Sequence, residues 1–512
     1  MFTLFKTVLG LLICATVVHG NVQHPFRARL NTVQPPPRIH PSNQLRTPLA
    51  AESYDTGSFS AVGDPTLLSV SHFTTLSHPA FPNHSVRIKK ANICDGDEAY
   101  TGYFDIEARH LFFFFFESKN DPDNDDVIFW TSGGPGCAGS LGLFMDFGPC
   151  KITNPNGTVH NPYSWTEKAS VFFVDQPIGV GFSYADYGET VSTTEEAAKD
   201  IAAFVAIFFE HFTKFKGNAF HMASSSYGGR YIPVFASEVY DQNAKLVEAG
   251  MTPINLTSIM IGNGCTDVTT MLPSYYDMQC TGVTAPPKIG ISSCVRQKLA
   301  LPRCERWLKE SCRDSYDAMN CRAAVDFCGA EIEEPFNSAR YNPYDILKPC
   351  DGDIEETLCY PVTNAIEAYL NRPDIRTILG VDPAISGNVS ACSNRVNDDF
   401  NSAGDYHFPT QYYLAALLER GIRTLLYVGT RDWICNWVGN ERMTVAMEWT
   451  GQEAYTAAEK RKWYVDSEVA GLVKSVGPFT FATVHNAGHM VPYDVPKESL
   501  AMINRWLAGE EL

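Results

Sequence analysis

The sequence predicts an α/β protein with a mostly parallel central sheet flanked by helices, interrupted by a disulfide-rich insertion. Three observations predict it. Short apolar runs alternate with amphipathic helical stretches, which implies strands covered on both faces. The alternation stops over about 266–375, where Cys280, Cys294, Cys304, Cys312, Cys321, Cys328, Cys350 and Cys359 crowd together. Finally, a glycine pair, a serine, an aspartate and a histidine each stand just after an apolar run, and open α/β sheets place their sites at that end of their strands.

Taken in order, residues 1–20 carry Lys6, an apolar run from Thr7 to Val18 and small residues up to Gly20. This is the layout of a secretory signal peptide, too short for a membrane span. Residues 21–80 lack periodicity and contain Pro35-Pro36-Pro37, so an N-terminal extension or propeptide with little packed structure is expected. Lys89-Lys90 reads either as a processing site or as the end of a strand, 85–89. Strands are expected at 103–106, 111–116, 127–130 and 171–175, then a helix over 193–215 opened by Thr194, Glu195 and Glu196. After the run 256–262 comes the cysteine-crowded insertion. Strands resume at 424–428 and 479–484, and a helix closes the chain near Ala508. The expected organisation is a core in two parts, 81–265 and 376–512, around the insertion 266–375.

Composition is globular, with 45% hydrophobic and 19% charged residues. A formal net charge of −18 argues against nucleic acid or an anionic membrane as partner. No run after the leader is long and apolar enough to span a bilayer. The cysteine crowding reads as a stapled subdomain in a secreted chain, because no His/Cys quartet has metal-ligand spacing. Sequons at Asn83, Asn156, Asn255 and Asn388 suit glycosylation in a vacuolar or extracellular lumen. Oligomeric state is left open.

The chemistry centres on His221 to Pro233, where an apolar run gives way to Ser224-Ser225-Ser226-Tyr227-Gly228-Gly229 and then a helix. A nucleophile elbow needs small residues two positions either side of the serine; Gly228 supplies one and Ser224 stands at the other. By itself the stretch also reads as a serine-rich helix cap. Thr131-Ser132-Gly133-Gly134-Pro135-Gly136-Cys137 follows a strand, and paired glycines let backbone N–H groups face a ligand. Asp432 follows the strand 424–428, and His489 lies five residues beyond the run 479–484. The order Ser226, Asp432, His489 is that of the α/β-hydrolases.

Trp130 to Cys137, Asp175 to Tyr184, Ser226 to Pro233, Asp432 to Trp437 and Gly488 to Pro492 together resemble the serine carboxypeptidases of the carboxypeptidase Y type. The likeness runs from about residue 85 to the C-terminus. It implies Ser226 as nucleophile, His489 as base and acid, Asp432 as its orienting carboxylate, and the N–H groups of Gly134 and Tyr227 as the oxyanion hole. It implies no metal or cofactor, and peptide or protein C-termini as substrates. His485 lacks the glycine-flanked setting of His489. The resemblance further implies disulfides Cys137–Cys392, Cys280–Cys294, Cys304–Cys328, Cys312–Cys321 and Cys350–Cys359, with Cys435 a free thiol at the substrate pocket. Cys94, Cys150 and Cys265 have no partner by this route.

Three positions depart from the family. In the subsite for the substrate's terminal carboxylate, where the family uses an asparagine and two glutamates, the asparagine position is Ser132, one glutamate is Asp146 and the other is Ser225; Gly133 completes the set. Serine can donate one hydrogen bond but cannot share an acid proton, and each lost bond to a charge costs about 1.5–3 kcal/mol. The expectation is therefore a carboxypeptidase weakened or shifted to a less acidic optimum. An acyltransferase or esterase, or a catalytically impaired binding protein, are the other readings of the same scaffold.

Overall fold

In the computed structural model the described residues are 60–512, apart from 95 and 187. The expected leader at 1–20, and 21–59 of the expected extension, lie outside them. A thirteen-stranded sheet runs in the order β1-β2-β3-β4-β8-β5-β10-β11-β12-β15-β14-β13, with β9 added to β4. These strands are β1 (Thr74–His78), β2 (Phe81–Lys90), β3 (Ala99–Ile106), β4 (Arg109–Phe116), β5 (Asp126–Thr131), β8 (Ala169–Val174) and β9 (Tyr184–Ala185). The rest are β10 (Phe220–Ser226), β11 (Leu256–Gly264), β12 (Arg423–Gly429), β13 (Arg461–Val465), β14 (Glu468–Val476) and β15 (Phe479–Val484). A separate hairpin joins β6 (Cys150–Asn154) to β7 (Gly157–His160).

The centre, β8-β5-β10-β11-β12-β15, is parallel throughout. Its neighbour β4 shows why the phenylalanine run is continuous. Phe113 and Phe115 pack with α1 (Thr194–His211) on one face, against Phe204 and Phe208. Phe112, Phe114 and Phe116 fill the other face with Phe173 and Phe144. A strand buried on both faces needs no alternation, and each buried phenylalanine contributes roughly 1.5–3 kcal/mol. The side chain that caps α1 is Thr193, the first residue of the expected helix, which accepts from the N–H of Glu196.

The margins differ from expectation. The strands expected at 103–106 and 111–116 are an antiparallel hairpin, β3–β4, turned at Glu107 with φ +52. Residues 461–476, unassigned by the sequence, form the antiparallel hairpin β13–β14 at the far edge. Its turn residues Asp466 and Ser467 both take positive φ, the geometry that Asn-Gly would have signalled. Thr74–His78, within the stretch expected to carry little packed structure, pairs with β2 and buries Leu76 and His78. Lys89 is buried in β2, which favours the strand reading of that dibasic pair.

The insertion is helical, with Val268–Cys280, Ile291–Leu308 and Ala318–Cys328 as its longest elements. Cys280–Cys294, Cys304–Cys328, Cys312–Cys321 and Cys350–Cys359 are bonded within it, and Cys137–Cys392 joins the glycine loop to the second part of the core. Trp433 is stacked between Tyr275 and Phe336 of the insertion, with ring centroids 4.2 and 4.0 Å away. The insertion thereby grips the loop after β12.

Candidate active site

Ser226 ends β10 and precedes α2 (Gly228–Glu248), with φ +61. A non-glycine residue there is strained, and the surroundings hold it. A Cβ on Gly133 would stand 2.6 Å from the Ser225 carbonyl and the Tyr227 nitrogen, so only glycine lets this loop reach the elbow. The serine at 224 fits for a related reason. Its hydroxyl donates to the Thr131 carbonyl at 2.6 Å, in space that a Cβ on Gly228 would invade to 1.9 Å. Glycine is needed at 228, and a serine fits at 224.

Asp432 and His489 are both buried, and the Asp432 carboxylate meets His489 Nδ1 at 2.9 Å. This pairing assigns the proton to Nδ1 and leaves Nε2 as acceptor. Nε2 is buried without a hydrogen-bond partner, and His489 lines the same cavity as Ser226. Asn263, at the end of β11, donates its amide to the same carboxylate oxygen at 2.8 Å and to the Gly488 carbonyl at 3.2 Å, while accepting from Gly429 N–H at 3.2 Å. It thus braces the ends of three strands. A strap at 343–346 does the rest: the Pro343 carbonyl accepts from Trp433 and Ile434, Ile346 N–H donates to Arg431, and the Tyr344 carbonyl accepts from His489 N–H at 2.7 Å.

The cavity holds about 420 Å³. Gly133, Gly134, Ser225 and Ser226 line it on one side, and Tyr344, Leu358, Ile434, Met490, Ser393, Asn394, Asn397 and Asp398 contribute walls. The last four were not expected. Among the described residues no Lys or Arg lines it, and its acidic lining residues are Asp146 and Asp398, so an anionic substrate group finds no fixed lysine or arginine charge there. Burial, opposed by Lys151 and reinforced by Asp494, pushes the Asp146 carboxyl up to about 7. Its Oδ1 is buried without a partner, so a neutral carboxyl is free to share its proton. Ser132 is different: its hydroxyl already donates to the Ala138 carbonyl at 2.8 Å. His485 lines another cavity, beside Arg431 and Lys460.

Two disulfides were not expected. Cys94 bonds Cys150, and Cys265 bonds Cys435. Cys435 is therefore not a free thiol, and it is fully buried rather than part of the cavity wall, which Ile434 supplies instead. Cys265 also donates its N–H to the Ser226 carbonyl at 2.9 Å, so the bond ties the elbow to the Asp432 loop. Asn83, Asn156, Asn255 and Asn388 are all exposed.

A family profile described as serine carboxypeptidase matches residues 91–509. Carboxypeptidase Y homolog A of Leptosphaeria maculans is 42% identical over 84% of this chain and 77% of its own length. Carboxypeptidase Y of Komagataella phaffii is 38% identical over 84% and 80%. The vacuolar serine-type carboxypeptidase ATG42 of Saccharomyces cerevisiae is 38% identical over 85% of each. Among solved structures, the prohormone-processing carboxypeptidase Kex1 of Saccharomyces cerevisiae is superposable with a TM-score of 0.64 at 22% identity, over 83% of this chain and 91% of that one.

Proposed function

The chain belongs to the serine carboxypeptidase family, and from that premise we propose that it releases C-terminal residues from peptides or proteins through an acyl-enzyme on Ser226. The observation that carries this is the buried His489–Asp432 pair, whose unpartnered Nε2 shares a cavity with the strained Ser226. His489 Nε2 takes the Ser226 proton as Oγ attacks the scissile carbonyl, and Asp432 steadies the imidazolium. The oxyanion is held by the N–H groups of Gly134 and Tyr227. The proton then passes from His489 to the leaving amine; water, deprotonated by the same imidazole, attacks the ester and regenerates Ser226.

The terminal carboxylate of the substrate is bound by Gly133 N–H, the Ser225 hydroxyl and the neutral Asp146 carboxyl, which donates its proton. Ser132 positions the loop through Ala138 and contributes little to the anion. Carboxylate binding by this set is weaker than by an amide and two glutamates, so activity on free C-termini is modest. A vacuolar or extracellular lumen, with a cleaved leader and glycans on the exposed sequons, is the setting proposed for it.

The test compares N-blocked dipeptides carrying a free C-terminus with their esters and amides. Release of the free C-terminal residue by the protein, abolished by Ser226→Ala, is expected. Ester turnover without any such release would point to the acyltransferase or esterase reading, and turnover of none of them to the binding protein.

A further inference from the structure

The first turn of α2 bears the Tyr227 N–H, and what fixes that turn comes from 178 residues further along the chain. Asp405 opens the short turn Asp405–His407, directly after the helix Asn394–Ala403 whose Asn394, Asn397 and Asp398 line the cavity. Its side chain is 1% exposed yet accepts four hydrogen bonds. The Tyr227 phenol and the Thr194 hydroxyl donate to Oδ2 at 2.8 and 2.6 Å; the Thr194 N–H and Arg230 donate to Oδ1 at 2.8 and 3.1 Å. Arg230, equally buried, also forks onto Glu195 at 2.7 and 2.8 Å and donates from Nε to the Asp405 carbonyl at 3.0 Å. One carboxylate thus joins the starts of α1 and α2, where helix dipoles favour negative charge.

We propose that Asp405 is the positioning residue of the oxyanion site: by holding the Tyr227 phenol from behind, it fixes the direction in which the Tyr227 N–H points into the cavity. The inference rests on the reading of Tyr227 N–H as an oxyanion donor. A backbone donor cannot be adjusted by its own side-chain rotamer, so its aim is set by whatever anchors the residue, and a preset donor is what stabilises a developing charge. Burial, with the facing carboxylate, pushes the phenol well above its ordinary range, so it stays protonated and donates. The remaining donors to Asp405 come from Thr194 and Arg230, which also hold the two helices together. A purely architectural role for Asp405 is therefore the alternative to be excluded.

Tyr227→Phe separates the two, because it deletes one O–H and leaves Asp405 its other three donors. The full chain and this variant are compared for kcat and KM on a blocked dipeptide ester, for affinity to a peptide aldehyde, which adds to Ser226 as a hemiacetal, and for thermal midpoint. We expect kcat and aldehyde affinity to fall together by about tenfold, a fraction of the 10²–10³ lost when an oxyanion donor is removed outright. KM and the thermal midpoint should stay put, and adding Tyr227→Phe to Asp405→Asn should cost no further kcat. An active wild-type protein with an unaffected Tyr227→Phe variant overturns this inference alone. A wild-type protein whose Ser226 forms no aldehyde adduct overturns the oxyanion reading as well.

Discussion

Asp146 offers a sharp test of how the altered carboxylate subsite works. Its carboxyl, ordinarily near 3.8, is held at about 7 by burial, a preference for the neutral form of about 4 kcal/mol. In the proposed subsite it would donate a proton to the substrate's carboxylate below pH 7; above, two negative charges would face one another. At roughly 5 Å and an effective dielectric of about 20 that repulsion is about 3 kcal/mol, on the order of a hundredfold in binding. The ratio of kcat/KM for a free-acid dipeptide to that for its amide is therefore expected to fall about tenfold per pH unit above 7, until the repulsion is fully expressed. Asp146→Asn, always neutral, should make the ratio flat between pH 6 and 9. Stability moves in the same sense. A carboxyl raised in the folded state contributes fully below its unfolded pKa, and that contribution is lost as pH rises to about 7. Asp146→Asn should thus be relatively more stable than wild type at pH 8 than at pH 4, read from denaturant midpoints. A ratio independent of pH in the wild type, or an unchanged decline in Asp146→Asn, would refute the reasoning.

Further outcomes follow from the bracing of the site. Asn263→Ala removes a 2.8 Å hydrogen bond to the Asp432 carboxylate, about 1.5–3 kcal/mol, so kcat should drop roughly ten- to a hundredfold in steady-state assays with KM little changed. Gly228→Ala brings a methyl group to 1.9 Å from the Ser224 hydroxyl and should cost about 1–3 kcal/mol by overpacking, measured by thermal melting. Ser224→Gly in the same chain should restore most of it. Native protein treated with an organomercurial should keep its activity and show no labelled Cys435, because that sulfur is bonded to Cys265.

Much of the centre was legible because the rule used to find it is physical. Gly133-Gly134, Ser226, Asp432 and His489 each follow an apolar run, and parallel strands buried on both faces leave their carboxyl ends as the open place for chemistry. Asn263 obeys the same rule, at the end of β11, but an amide within Gly262-Asn263-Gly264 carries no reactive signal in the sequence. The edges were less readable. β1, β13 and β14 are short or half exposed, and the β13–β14 turn uses Asp-Ser rather than Asn-Gly. Cys265 and Cys435 lie 170 residues apart, and a resemblance that implies a free thiol at Cys435 and no partner for Cys265 hides that the two face each other. Asp405 was invisible for the same reason: its four donors come from Thr194, Tyr227 and Arg230, far away in sequence and close only once the helices are packed.

The most direct test of the central claim is labelling of the folded protein with a serine-directed fluorophosphonate, followed by mass spectrometry of the peptide spanning residues 221–230. The account predicts a single adduct on Ser226, lost in Ser226→Ala and slowed in His489→Ala, with release of C-terminal residues lost in step. An adduct on another serine, or release of C-terminal residues that survives Ser226→Ala, would contradict it.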